Sequence, residues 1–448
     1  MSADRPNFYK HTPARAMGSE TEYTVQSESM RPLMQSATVK PHVVYESSAN
    51  DLFLNNGARL YFDMVSDGSP LSIIEYATPE CLSAEALLIH EKVGEQIITA
   101  YGYEQELHQT VGFPVFKRSA YVQIAGVSEE DVLEATSVGH HENYSTPLDK
   151  QRELPILSYL VTRPLWAGAG IVTEGGFDIS QKHGAINFTA GEALTTGHGC
   201  KTPLRWRHDR LEVRTGDGNM SPWAIRTKYA MTSLVLRLVE HNAFPQEALF
   251  SSREDMEVAS FVSSTDPLAQ LPGLRRADLN TPLHQELIAQ RALDFANKHK
   301  VPDAERQAAI DVLTISRTLR QPQSLIHAAE QIADRVDWAA KLGYIRRRVG
   351  IEGISLGDIC SDSLSNVMYD LLWEAMGTGS PSDRHYRSIG NTVDSKNIAA
   401  ALHTPPNSRA KFRTQILREF RGSIESACWD EILLDDGTKF RLNNPDTN

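Results

Sequence analysis

Over roughly the first two hundred residues, apolar and polar positions alternate in short runs, whereas later segments repeat their apolar residues at helical spacing. Ala58 to Met64, Ile73 to Ala77 and Ala120 to Ile124 alternate and are broken by Gly, Pro, Asn and Asp, the pattern of an antiparallel sheet. Leu82 to Tyr101 reads as a helix, with Ser83 as its cap and Leu87, Leu88, Val93, Ile97 and Ile98 on one face. In Ala224 to Glu240, the residues Tyr229, Leu234, Val235, Leu236, Leu238 and Val239 suit a buried helix. Leu283 to His299, Asp303 to Leu319 and Pro322 to Leu342 predict further amphipathic helices that pack as a layer. Strands first and helices beside them predict an α+β fold, a curved antiparallel sheet covered by helices. Gly377 to Asp383 is rich in residues that resist regular structure and is the expected linker to a small carboxy-terminal domain.

Composition narrows the functional classes. The 448 residues carry 45 Lys plus Arg against 57 Asp plus Glu, a formal charge of -12, which disfavours nucleic-acid binding through bulk positive charge. Cys81, Cys200, Cys360 and Cys428 show no zinc-like spacing, so reduced thiols in a cytoplasmic protein are expected, with Cys81 a buried small residue. No apolar run approaches membrane-spanning length, and Met1 to Ala16 is polar and weakly basic, unlike a secretory signal; residues 1–16 are expected to form a loose tail.

The chemistry is concentrated in Gly18-Ser19-Glu20-Thr21-Glu22-Tyr23 and Gly57-Ala58-Arg59-Leu60-Tyr61-Phe62-Asp63. Residues two apart on a strand share a face, so Glu20 pairs with Glu22, and Arg59 aligns with Tyr61 and Asp63. A carboxylate pair beside an Arg-Tyr-Asp row suits a floor for magnesium and a nucleoside triphosphate. Each residue alone has a plainer reading. Glu-x-Glu is commonly a solvated strand face, His141 beside His140 is a structural histidine, Thr78 starts a turn before Pro79, and Trp429 anchors a core.

Four blocks occur in order: Met17 to Tyr23, Asn56 to Asp63, Glu75-Tyr76-Ala77-Thr78-Pro79-Glu80-Cys81, and His141-Glu142-Asn143-Tyr144. They resemble the Pup ligase and depupylase family, which belongs to the glutamine-synthetase-like carboxylate-amine ligases. Weaker similarity continues through Tyr159 to Arg163, Gly168 to Gly170, Gly216 to Ser221, Asp337-Trp338, Pro405 to Ala410 and Trp429. The resemblance implies a glutamine-synthetase-like cradle over 17–376 and a small domain over 384–448 that helps to close the nucleotide pocket. It implies ATP and Mg2+ as cofactors, with Glu20, Glu22, Tyr61, Glu75 and His141 at the metal and Arg59, Thr78, Arg210 and Trp429 at ATP. Asp63 matches the family's catalytic aspartate. The implied partners are a carboxylate donor, either a Pup-like small protein or a glutamate-containing small molecule, and an amine acceptor such as a protein lysine. Neither a nucleic acid nor a membrane is implied.

Such a residue set has a physical purpose. A carboxylate becomes electrophilic when a phosphoryl group from ATP makes it an acyl phosphate, and cations with Arg59 neutralise the transferring charge. Asp63 can orient the incoming ammonium and accept its proton.

The chain departs from the family between Asp63 and Glu75, where 64–74 form a longer connection. It also has Glu212 where the family has a histidine after Arg-Leu, and Thr202 to Arg210 replace a recognisable central block. Arg205, Arg207 and His208 are candidates to replace missing cationic contacts, and Lys117-Arg118-Ser119 is a reduced form of a further family segment. The short connection from Tyr23 to Asn55 resembles the ligases more than the depupylases, making an ATP-dependent isopeptide ligase the leading expectation. A nucleotide-using amide hydrolase is the alternative. A noncatalytic nucleotide-binding regulator is the third reading, suggested by Glu212 and the altered central block.

Overall fold

The computed structural model describes residues 14–26, 31–65, 71–105, 113–117, 120–122, 135–137, 139–182, 186–189, 202–207, 210–320, 324–350 and 356–442. The strands through residue 213 are β1 (Met17–Gln26), β2 (Val43–Ser48), β3 (Asp51–Leu54), β4 (Arg59–Val65), β5 (Leu71–Ala77), β6 (Val115–Phe116), β7 (Ala120–Val122), β8 (Ala135–Ser137), β9 (His140–Ser145), β10 (Ile171–Thr173), β11 (Gly176–Asp178), β12 (Leu204–Arg207) and β13 (Arg210–Val213). Nine of them form one antiparallel sheet in the order β12-β13-β9-β1-β5-β4-β3-β2, with β6 also paired to β1. The pairs β7-β8 and β10-β11 stand apart from it. An open antiparallel sheet with helices is the α+β arrangement expected from the alternating runs.

One face of the sheet is apolar, with Tyr23, Leu60, Ile74, Tyr76 and Tyr144 all buried. The helix Ala84–Glu104 lies against it, and Ser83 caps this helix by accepting a hydrogen bond from the Ala86 amide. The approach is close at Gly94, where a Cβ would stand 2.4 Å from the Tyr76 ring. The helix Pro222–Glu240 carries Tyr229, Leu234, Val235, Leu236, Leu238 and Val239 into the interior, as its pattern predicts. The helices Thr281–Lys298 and Asp303–Leu319 pack on each other and on this helix. Of the expected amino-terminal tail, Arg15 is buried and pairs with Glu240 at 2.8 Å; residues 1–13 lie outside the described part.

The single helix expected over Pro322 to Leu342 is instead two, Leu325–Ile332 and Asp337–Val349. The break serves Asp337. Its buried carboxylate accepts hydrogen bonds from the Met220 and Ser221 amides, from Asn219 Nδ2 and from the Tyr386 hydroxyl, a set reached only where a helix restarts beside that loop.

Beyond Asp337–Val349, Gly377 and Gly379 adopt positive φ of 122° and 84°, and the helix Pro381–Ser388 follows. A second, smaller core joins Val44 and Phe53 of β2 and β3 to Leu417, Ile432 and Leu434. Leu417 belongs to the helix Arg409–Glu419, and the other two to a sheet of β14 (Ile424–Ala427), β15 (Glu431–Leu434) and β16 (Lys439–Arg441). This unit is fastened to the main sheet by Glu80, which accepts hydrogen bonds from Arg413 at 2.8 and 2.9 Å and from Arg409 at 2.8 Å. Among the described residues no helix is long and apolar enough to cross a membrane.

Candidate active site

The register of the sheet brings the sequence-predicted acids together. Glu22 lies opposite Glu75, which lies opposite Tyr61; Glu20 lies opposite His141, and Asn143 opposite Glu212. Because side chains alternate along strands, all of these share the sheet face turned away from the apolar core. Asp63 joins them through a register shift between Phe62 and Met64, where the bulged strand gives one extra residue. Of the longer 64–74 connection, residues 66–70 lie outside the described part.

Two groups of metal-ligand type result. Glu22, Asp63 and Glu75 form one and Glu20, His141 and Glu212 the other, each with ligand atoms within 4.8 Å of one another. Burial, and then the charges of Glu20 and Glu22, raise the Glu75 carboxyl well above the usual carboxylate range, against a hydrogen bond from Tyr61. Glu75 Oε1 is buried without a hydrogen-bond partner. Crowded carboxylates with an unsatisfied buried oxygen fit a divalent cation, which relieves the repulsion and supplies the missing partner. Burial and the charges of Glu75 and Glu20 raise the Tyr61 phenol, so it serves this group as a neutral donor to Glu75.

In the second group, burial pushes the Glu20 carboxyl up, but hydrogen bonding to His141 and the charges of His141 and Arg210 outweigh it and leave its pKa lowered. His141 Nδ1 lies 3.5 Å from Glu20 and 4.0 Å from Glu212, while Asn143 Nδ2 donates to Glu20 at 3.1 Å. Arg214 Nε holds Glu212 at 2.6 Å. Glu212, read in the sequence as the loss of a histidine, therefore supplies a carboxylate to the group. Its spacing from Arg210 repeats the two-residue signal of Glu20 and Glu22 and was the available clue.

The adjacent histidines are separated by the pleat. His140 points into the core, where its Nε2 meets Lys228 Nζ at 2.8 Å and its Nδ1 meets Thr21 Oγ1 at 3.0 Å. Burial, and then the charge of Lys228, depress its pKa far below the ordinary value. His140 is the structural histidine and His141 the one at the site. The neighbouring Glu142 is buried against Arg163 at 2.7 Å, and Lys117 pairs with Glu91 and Glu95, each at 3.0 Å.

Beside Glu20 opens a cavity of about 280 Å³, bordered by Thr78, Arg207, Arg210, Arg409, Trp429 and Asp430 among others. Thr78 is fixed by its Oγ1, which accepts from the Ser19 amide at 2.9 Å. Arg210 stands 3.8 Å from Glu20. The Trp429 ring packs edge-on to Phe53 with centroids 5.9 Å apart, beneath the Arg413 guanidinium at 4.6 Å. Arg59 does not border this cavity. It forks onto Asp51 at 2.8 and 2.6 Å and lies over the Tyr61 ring at 5.0 Å. Glu80 and Arg413 carried no chemical signal in the sequence, because they are more than three hundred residues apart, and Asp51 none because its partner Arg59 is reached only across a strand pairing.

A family model described as Pup-ligase protein matches residues 10–433. The chain belongs to this family. Among curated Pup ligase family relatives, the chain is 26% identical over 432 residues to a Pup–protein ligase of Corynebacterium diphtheriae, covering 90% of this chain and 85% of the relative. It is 28% identical to the Pup–protein ligase of Acidimicrobium ferrooxidans, covering 90% and 89%. It is also 27% identical to a depupylase of Acidothermus cellulolyticus, covering 86% and 75%. In fold it is similar to the crystal structure of the complex between the prokaryotic ubiquitin-like protein Pup and its ligase PafA, with a TM-score of 0.74, 22% identity and coverage of 97% and 90%. The structure of PafA in complex with ADP gives a TM-score of 0.69, 21% identity and coverage of 89% and 87%.

Proposed function

We propose that this member of the Pup ligase family is an ATP-dependent carboxylate-amine ligase that activates a carboxylate of a Pup-like protein and joins it to a protein lysine. The observation that supports this best is the placement of two acid groups on one sheet face, the second of which reaches an arginine-bordered cavity through Glu20. Glu22, Asp63 and Glu75 would hold one magnesium ion and Glu20, His141 and Glu212 another, with Tyr61 supporting Glu75. When bound, magnesium neutralises phosphate charge and favours phosphoryl transfer.

The chain's own side chains supply the rest. Thr78, Arg210 and Trp429 border the cavity that takes ATP, with Arg207 and Arg409 adding positive charge for its phosphates. Arg59, fixed by Asp51, stiffens Tyr61 and lends positive charge to the same sheet face. Asp63 is the exposed member of the first acid group, and its carboxylate oxygen left free by the ion would orient an incoming lysine ammonium and accept its proton. The protein works in the cytoplasm, which suits its free Cys81, Cys360 and Cys428.

Incubation with ATP, Mg2+, a Pup-like protein bearing a terminal glutamate and a lysine-containing acceptor should yield ADP, phosphate and conjugate in equal amounts. Cleavage of a preformed conjugate with only catalytic nucleotide would instead support the hydrolase reading, which the similarity to a depupylase keeps in view. The regulator reading loses ground because Glu212 joins an acid group rather than leaving a gap.

A further inference from the structure

The strand pairing between β1 and β9 ends at Thr21 and His140, and the next opposed residues are Glu22 and Gly139. One ladder bond is kept there: the Glu22 amide donates to the Gly139 carbonyl at 3.0 Å. The reciprocal bond is not to backbone. The Gly139 amide donates to Glu22 Oε2 at 2.5 Å, so the carboxylate takes the place that a main-chain carbonyl holds in a continued ladder. The chain and the side chain of Glu22 are thereby clasped by one residue.

The clasp has no room for a side chain. A Cβ at Gly139 would stand 2.2 Å from Glu22 Oε1, 2.8 Å from Glu22 Cδ and 3.1 Å from His141 Cε1, so it meets residues of both acid groups at once. No positive backbone angle is recorded at Gly139, so conformational freedom is not what this glycine supplies. Its use is close approach: an unobstructed amide facing a carboxylate.

We propose that Gly139 is a positioning residue for the cation site, aiming the Glu22 carboxylate at the ion shared with Asp63 and Glu75. The inference rests on the reading of that group as a cation site. An amide donor fixed in the sheet does for a ligating carboxylate what hydrogen-bond partners of metal ligands generally do. It takes one oxygen, holds the plane of the group and leaves the other oxygen in a set direction.

The test is direct binding of Mn2+, used as a paramagnetic stand-in for Mg2+, followed by water-proton relaxation on the whole chain without turnover. Gly139→Ala keeps the amide but its Cβ displaces the Glu22 carboxylate, and it should weaken Mn2+ binding by about 10-fold or more, the size of effect that loss of a ligand's hydrogen-bond partner generally has. A double-mutant cycle then traces the effect to its route: in a Glu22→Ala background, Gly139→Ala should cause a clearly smaller drop in Tm, since the carboxylate it collides with is gone and only the 3.1 Å contact with His141 Cε1 is left. This arm holds even where the single variant folds poorly. Unchanged Mn2+ binding by Gly139→Ala, or an equal penalty in the Glu22→Ala background, overturns the clasp alone. Absence of Mn2+ binding by the wild-type chain overturns the cation reading and the clasp together.

Discussion

Glu22 and Glu75 stand opposite each other on adjacent antiparallel strands, two carboxylates in register on the same face of the sheet. Like charges directly opposed across a sheet are destabilising, and burial beside Glu20 and Glu22 drives Glu75 towards its protonated form, so the pair is a source of instability that a proton or a cation offsets. Glu75→Gln should therefore stabilise the metal-free protein by about 0.5–2 kcal/mol, the size common for single stabilising substitutions and seen as a higher Tm, while abolishing the further stabilisation given by Mg2+. Thermal scans with and without Mg2+ check both halves, and a lower metal-free Tm for the variant would count against the account.

Asp63 is exposed and reaches its group through the bulge of β4. Replacement by Asn keeps the volume but removes the proton acceptor, so Asp63→Asn should retain ATP binding while conjugate formation falls by about 10²-fold or more. Calorimetric nucleotide titration beside a conjugation assay separates the two effects.

Glu212 clusters with Glu20 and His141 at the position where the resemblance places a family histidine. Glu212→His should keep ligase activity within a few-fold of wild type, whereas Glu212→Ala should raise the Mg2+ concentration needed for half-maximal rate by about tenfold or more. If His and Ala behave alike, the residue is no ligand.

The Glu80 contact with Arg413 and Arg409 ties the wall of the cavity beside Glu20 to the sheet. Burial raises the Glu80 carboxyl, but the charge of Arg413, with its hydrogen bonds and then Arg409, outweighs this and brings it down to about 2. A depressed carboxyl contributes stability that is complete above its ordinary value of 4.5 and is lost as pH falls through about 2. That shift corresponds to about 3 kcal/mol. Glu80→Ala strands Arg413 and should destabilise the protein by about 3–5 kcal/mol, with a raised KM for ATP and a flatter acid-unfolding profile between pH 4.5 and 2. Urea melts across that pH range, paired with ATP kinetics, provide the check.

The sheet and its acids were legible because period-two spacing is local: Glu20 with Glu22, and Arg59 with Tyr61 and Asp63, declare a shared face without knowledge of the partner strands. The ligand position of Glu212 was not, because it depends on β13 pairing with β9, a contact between remote segments. His140 and His141 could be told apart only once Glu20 was seen opposite His141, since a shift of one residue exchanges the faces. Pro322 to Leu342 misled for a related reason. Its apolar spacing is continuous, and the interruption answers to amide groups of the 219–221 loop that no helical pattern records. Arg59 carried its nucleotide assignment by resemblance, while its bidentate partner Asp51 lies on the neighbouring strand and has no motif.

Trp429 and Asp430 line the cavity beside Glu20, although they follow the last of the acid-group residues, Glu212, by more than half of the chain before them. During synthesis every strand that carries the two acid groups is therefore translated before Trp429 and Asp430, so the cavity wall they form beside Glu20 is among the last parts of the site to be made.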